Sequence, residues 1–244
     1  MIKIENTEVV GWEHAIRGMR NPMNSWDKSD SKYCLSSPIE CDDCSFRPYC
    51  DGGDPYIIGD DDFKLMNKLS KAGTDHRKFM RMIVVYADIT APDYWFKEFS
   101  TYRVGVTENS TSTMHKIQAK EFTLDDFSTE HLFDSNCTNR ETTLFRSGEF
   151  YDLESKYVFR NCIIGLLNFY REKFLETNDK NYWWQLIQLL PMSYNYRRTV
   201  CLNYEVLANM YHSRKAHKLD EWREFCKWVE TLPYSELITG SKGE

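Results

Sequence analysis

A mixed α/β fold is what this chain predicts, and three stretches predict it. The N-terminal IKIENTEVV reads as a strand and runs into a helix carrying Ala15, Ile16 and Met19 with the basic Arg17 and Arg20. The apolar run 80–89 reads as a second strand, which passes through Ala91-Pro92 into a short aromatic helix over 93–101. Residues 151–176 read as the longest helix, with an apolar stripe through Val158, Cys162, Ile163, Leu166, Leu167, Tyr170 and Phe174.

The chain is 244 residues long, 41% hydrophobic and 15% aromatic, enough for a sizeable core in a single domain spanning 1–244. Its formal net charge of −6 argues against a general nucleic-acid surface, although a local basic site remains open. No apolar run approaches the ~18 residues of a membrane span. The acidic, amphipathic N-terminus has no signal-peptide apolar region. A cytoplasmic protein with no membrane partner is expected.

In chain order, Asn21-Pro22 ends the first helix, because the residue before proline disfavours the helical region. A Cys-rich insertion occupies 34–53. Its cysteines, Cys34, Cys41, Cys44 and Cys50, follow C-x6-C-x2-C-x5-C with no histidine between them. The C-x2-C pair puts two thiolates on one tight turn, and the other two complete a four-cysteine set. Zinc and an iron–sulfur cluster both suit it, in a structural role with no open coordination position. The alternative is free or transiently oxidised cysteines in a surface loop. Residues 60–72 predict a helix whose three leading aspartates suit its positive end, with Gly73 as C-cap. Tyr94, Trp95, Phe96 and Phe99 give the aromatic helix a broad face, read as core rather than a stacking platform.

The tract TENSTSTMHK over 107–116 reads as a polar loop. Residues 108–114 hold four hydroxyls, one amide and one carboxylate, which suit either an ordinary surface loop or a loop binding phosphate or a base. Residues 122–132 predict a short helix, and 181–190 another that stops at Pro191. Residues 196–203 read as a short strand or turn, after which Asn203 caps a helix with Glu205 in its first turn. A last helix over 219–232 lines up Trp222, Phe225, Cys226 and Val229, and the tail 236–244 is expected to fray.

Two blocks of this sequence together resemble the flavin-dependent thymidylate synthases. The first begins at His76 and runs through Ala91-Pro92 and the aromatic helix to about Met114. In that family the aromatic helix leads into the signature RHRxxSxNExSxRY, whose RHR falls here on Thr101, Tyr102 and Arg103. The second block supplies Leu190-Pro191, Arg197, Asn203, Asn209 and Arg214 at the family's positions. Arg17 and Arg20 are a weaker echo of paired N-terminal arginines. The Cys-rich insertion is extra to the pattern.

The resemblance implies a central sheet with long helices in a homotetramer, with FAD and dUMP meeting at subunit interfaces. It implies hydride from NADPH and a one-carbon unit from methylenetetrahydrofolate, delivered to C5 of the uracil ring. On this resemblance His76, Arg103, Asn203, Asn209 and Arg214 are candidate cofactor-binding residues. Glu98, Asn109, Ser110, Thr111, Ser112 and again Arg214 are candidates for the pyrimidine nucleotide. No catalytic residue is assigned.

The pattern also departs from the family. Thr101 and Tyr102 replace an arginine and a histidine, Asn109 the glutamate, Thr111 the serine and Thr113 a nucleotide-binding arginine. Ile187 stands where another arginine is expected. Lys97, His115 and Lys116 are the cations near enough in sequence to replace lost charge. The flavin side is thus better kept than the dUMP side. Two further readings stay open: a catalytically altered nucleotide- or flavin-binding protein, and a redox protein with a metal cluster in the Cys loop.

Overall fold

The computed structural model describes residues 2–34, 56–133, 143–146, 149–152 and 154–240. Strand β1 (Lys3–Val10) leads into α1 (Trp12–Arg20), and β2 (Lys32–Tyr33) pairs antiparallel with β3 (Tyr56–Ile57). Helix α2 (Asp60–Ser70) and a 3-10 segment (Arg77–Arg81) precede β4 (Val84–Pro92), α3 (Asp93–Phe99) and β5 (Thr107–Ser110). Next come α4 (Thr113–Lys116), the hairpin strands β6 (Thr143–Arg146) and β7 (Glu149–Asp152), and α5 (Ser155–Val158). A π turn (Phe159–Ile164) joins α5 to α6 (Gly165–Thr177). The chain closes with α7 (Lys180–Leu189), β8 (Asn195–Asn203), α8 (Tyr204–Arg214), α9 (Asp220–Glu230) and α10 (Glu236–Thr239). Among the described residues the main sheet has four strands in the order β1-β4-β8-β5. No described helix is long and apolar enough to cross a membrane.

Two compact units divide the chain. One comprises Ile4–Ile89, Ser100–Asn109 and Thr199–Glu244; the other comprises Met1–Lys3, Thr90–Phe99 and Ser110–Arg198.

In the first unit the period-two alternation of β4 buries Val85, Ala87 and Ile89 and turns Tyr86 outward. On that outward face Asp88 accepts hydrogen bonds from Asn6 Nδ2 at 2.8 Å and Thr199 Oγ1 at 2.6 Å. Helix α1 buries Ala15, Ile16 and Met19, as its spacing requires. Gly11 precedes it with φ +97, and a Cβ there would lie 2.1 Å from the Met82 carbonyl oxygen, so the turn admits only glycine. Helix α9 buries Trp222, Phe225, Cys226 and Val229, the face expected of it.

A buried polar network ties the chain entering α2 to α1. Asp62, wholly buried, accepts from Arg20 Nε at 2.6 Å and from the Ser29 and Ser31 hydroxyls, each at 2.6 Å. Asp30 caps the start of α2, accepting from the N–H groups of Asp61 and Asp62. Arg20, an echo of the family's arginines in the sequence, is here a structural residue.

The second unit has its own core of Ile117, Phe122, Phe127, Phe159, Ile164, Leu167 and Leu186. Helix α6 packs against α7. The stripe expected on the long helix is displaced. Phe159, Ile164 and Leu167 are buried, whereas Cys162 and Leu166 are exposed. The five-residue step from Phe159 to Ile164 is that of a π turn, which inserts one residue and rotates the preceding face.

Four other boundaries differ from the sequence reading. The strand expected from 80 begins at Val84, because Phe79 and Met80 are both buried as adjacent residues of a 3-10 turn. The tract expected to be a loop is strand β5 at a sheet edge, followed by a helical turn capped by Ser112. Ladder hydrogen bonding outweighs composition there, and an exposed edge tolerates threonine and asparagine. The helix expected over 122–132 is a 3-10 turn (Leu124–Asp126), after which Phe127 bridges Tyr194 in extended form. The tail is anchored where fraying was expected: α10 buries Leu237 and Ile238. Residues 241–244 lie outside the described residues.

Candidate functional site

Helix α8 is the organising element of the site. Residues 204–211 are all buried except Asn209, so the first two turns of this helix are packed on every side and open to solvent at one position, while its last turn is exposed at His212 and Ser213. Asn203 caps it: its side-chain oxygen accepts from the Val206 N–H at 2.9 Å, as its position before the helix predicts. Its Nδ2 lies 3.5 Å from the Gly105 carbonyl oxygen. Gly105 has φ +81, and a Cβ there would stand 2.5 Å from that amide, so the 100–106 loop approaches the cap through glycine alone.

At the other end of α8, Arg214 is held by the same loop. Its Nε donates to the Tyr102 hydroxyl at 2.9 Å, and its guanidinium lies 4.8 Å from the Trp222 ring centroid and 5.6 Å from that of Tyr102. Trp222 is fully buried, which fixes the surface that the cation stacks on. Tyr102, a departure from the family signature, therefore has a defined place beside a matched residue. Arg103, next in sequence, is exposed.

Between these ends lies a cluster that the sequence reading missed. Arg77 donates from Nε to Glu205 Oε1 at 3.3 Å and from Nη2 to Asn209 Oδ1 at 3.1 Å. Arg81 grips both carboxylate oxygens of Glu205, through Nε to Oε2 and Nη2 to Oε1. The signal in the sequence was RKFMR directly after His76, with two arginines one helical turn apart. His76 itself is exposed at the start of that turn.

Burial alone would raise the Glu205 pKa, but Arg81 and then Arg77 hold it below the usual carboxylate range. The sign follows for stability. The clamp contributes fully above the unfolded glutamate value of ~4.3 and is lost as pH falls through the lower folded value. Melting temperature measured against pH is expected to fall off below about pH 4.3 in the native chain. Glu205→Gln should be less stable at pH 7 and lose that part of the acid dependence; an unchanged pH profile would remove Glu205 from the account.

Of the nucleotide candidates, Asn109 is exposed at the end of β5. Arg214, described above, belongs with it to the first unit; Glu98, Ser110, Thr111 and Ser112 belong to the second. Glu98 is half-buried on α3, while Ser110, Thr111 and Ser112 are exposed. The Thr111 N–H donates to the Arg197 carbonyl at 2.9 Å, Ser110 Oγ donates to the Thr111 carbonyl, and Ser112 Oγ accepts from the His115 N–H. The hydroxyl tract is thus braced locally along β8. Ile187, where an arginine was expected, packs against the core of that unit. Lys97 pairs with Asp93 one turn back at 3.3 Å. Of the metal candidates, Cys34 is half-buried at the end of the described segment, and Cys41, Cys44 and Cys50 lie outside the described residues. Among the described residues no group of three or more potential ligands comes together.

The fold that carries this arrangement is that of the flavin-dependent thymidylate synthases. Two structures of the Helicobacter pylori thymidylate synthase X with FAD and dUMP superimpose with TM-scores of 0.61 and 0.60, at 16% and 17% identity, covering 98% of each chain. A UMP/dUMP methylase, PolB, from Streptomyces cacaoi bound with 5-Br dUMP superimposes at 0.55 and 12% identity, over 98% of this chain and 95% of that one. No protein-family model and no curated protein sequence matches the chain.

Proposed function

We propose that the protein is a flavin-dependent enzyme acting on a pyrimidine deoxynucleotide such as dUMP, transferring a one-carbon unit to C5 or otherwise modifying it. The observation that carries this is the placement of Asn203 at the start, Asn209 at the exposed middle position and Arg214 at the end of α8, with the 100–106 loop fixed at both ends of that helix. The likeness in fold to enzymes bound to FAD and dUMP supports the same reading.

The residues suit FAD. Guanidinium groups match phosphate oxygens, and the exposed amide of Asn209 matches the polar edge of a flavin ring. His76, Arg103, Asn203, Asn209 and Arg214 are the proposed holders of the cofactor. Bound FAD would accept hydride from a reduced nicotinamide such as NADPH and pass reducing equivalents on, with methylenetetrahydrofolate as the proposed carbon donor. The chain itself orients: Tyr102 and Trp222 set the guanidinium of Arg214, and Asn203 keeps the start of α8 in register. Glu98, Asn109, Ser110, Thr111, Ser112 and Arg214 are the proposed nucleotide side. Hydroxyls there replace arginine forks, which favours an altered nucleotide or carbon donor over plain dUMP methylation.

The test is anaerobic purification, a UV–visible spectrum with identification of released molecules, and turnover assayed with dUMP, methylenetetrahydrofolate and NADPH. Flavin bands are expected, with a C5-modified product formed from dUMP or, more readily, when another pyrimidine deoxynucleotide or carbon donor takes its place in the assay. Colourless protein that binds nucleotide without turnover would replace this reading with that of a binding protein, which Ile187 in the core and Thr113 at an arginine position favour as the second choice.

Homotetramer formation belongs to the same proposal, and the exposed Leu166 and Phe169 on α6 are consistent with a covered face in an assembly. Light scattering should return four chains per particle. A structural metal on Cys34, Cys41, Cys44 and Cys50 is proposed from their spacing: elemental analysis should find about one site per chain. Metal-free protein with unchanged melting would dismiss it.

A further inference from the structure

We propose that Arg77 is a positioning residue: it fixes the amide of Asn209 so that its nitrogen faces the ligand, and Asn209 therefore reads a hydrogen-bond acceptor on the flavin. This rests on the reading that α8 carries the flavin. The geometry behind it is a single guanidinium spanning one turn of helix. Arg77 Nε reaches Glu205 and Nη2 reaches Asn209, four residues further along α8. Arg81 grips the same Glu205 carboxylate, so the acidic end of the span is itself anchored.

A guanidinium only donates. Against Arg77 the Asn209 side chain can present only its oxygen, which leaves its nitrogen for whatever lies opposite. Flipping the amide would set two N–H groups against a cation. An exposed asparagine ordinarily has no such preference and can serve a donor or an acceptor. Here Asn209 is the only residue in 204–211 that reaches solvent, and its orientation is set from behind. A flavin ring edge offers carbonyl oxygens and unprotonated ring nitrogens as acceptors, and one N–H as donor. The fixed amide matches the acceptors and excludes the N–H.

The deciding variant is Asn209→Asp, nearly isosteric with the native residue. It keeps an oxygen toward Arg77, now charge-assisted, and puts an oxygen where the donor was. Fluorescence titration of flavin-depleted protein with FAD should show affinity at least tenfold weaker than wild type, with a melting temperature equal or higher. Arg77→Ala, which releases the amide to rotate, should weaken FAD by roughly three- to tenfold, and should cost nothing more when added to Asn209→Asp. Arg77→Lys has one nitrogen for two acceptors and should fall between. Wild-type affinity in Asn209→Asp overturns the inference while leaving the flavin reading intact. Arg77→Ala that lowers melting but not FAD affinity also overturns it, reducing Arg77 to a structural role. Wild-type protein that binds no FAD overturns the flavin reading itself and this inference with it.

Discussion

Replacing Asp62 with alanine is expected to destabilise the protein by about 3–5 kcal/mol, because it strands a buried guanidinium. Arg20 is 5% exposed and Asp62 not at all, so water cannot take the place of the missing carboxylate. The Ser29 and Ser31 hydroxyls lose their acceptor in the same stroke, loosening the segment that leads to α2. For a chain of this size the loss corresponds to a melting temperature lower by roughly 6–20 °C. Replacing both partners with apolar residues of similar volume, Arg20→Met with Asp62→Leu, should recover much of it. A single mutant melting within a degree or two of wild type would show that the network contributes little.

The second large effect concerns the ligand rather than the fold. Arg214→Ala should lower FAD affinity by roughly 10–150-fold, the equivalent of the ~1.5–3 kcal/mol typical of hydrogen bonds to charged groups. The protein should stay folded, since Arg214 is half-buried and Trp222 keeps its place against Phe225. Arg103→Ala should also strip flavin with no loss of melting temperature, because Arg103 is exposed. Tyr102→Phe separates orientation from charge: it keeps the ring under the guanidinium and removes only the Nε acceptor, so its effect should be the smallest of the three. Stoichiometric flavin retained by Arg214→Ala and Arg103→Ala would sink both assignments.

Some of this could be read in the residues and some could not, for physical reasons. Asn203, Asn209 and Arg214 were readable together because they stand, in order and at the family's spacing, within one continuous block of the sequence that resembles it. The cap at Asn203 was readable because capping is local. The grip of Arg77 on Glu205 was not, since the partners stand 128 residues apart and an ion pair leaves no trace in the sequence around either. Tyr102 looked like a loss when compared with the family signature, and only the distance to Arg214 gives it work to do. The tract 107–116 misled because composition reports solvent exposure well and backbone pairing poorly. Leu237 and Ile238 misled in the opposite sense: a short terminal segment reads as loose until it finds a core.

The π turn between Phe159 and Ile164 changes how the longest helix of the second unit tolerates insertions and deletions. It acts as a phase shift of one residue, about 100° of rotation, between the part that begins at Ser155 and the part that ends at Thr177. Removing a single residue from the turn would restore an uninterrupted α-helix and swing Phe159 out of the core it shares with Phe127. Inserting or deleting one residue elsewhere in the helix would misalign every contact beyond it. The π turn is thus the place where this helix stores its extra residue, and a relative of this chain lacking it would have to rebuild the aromatic packing around Phe127.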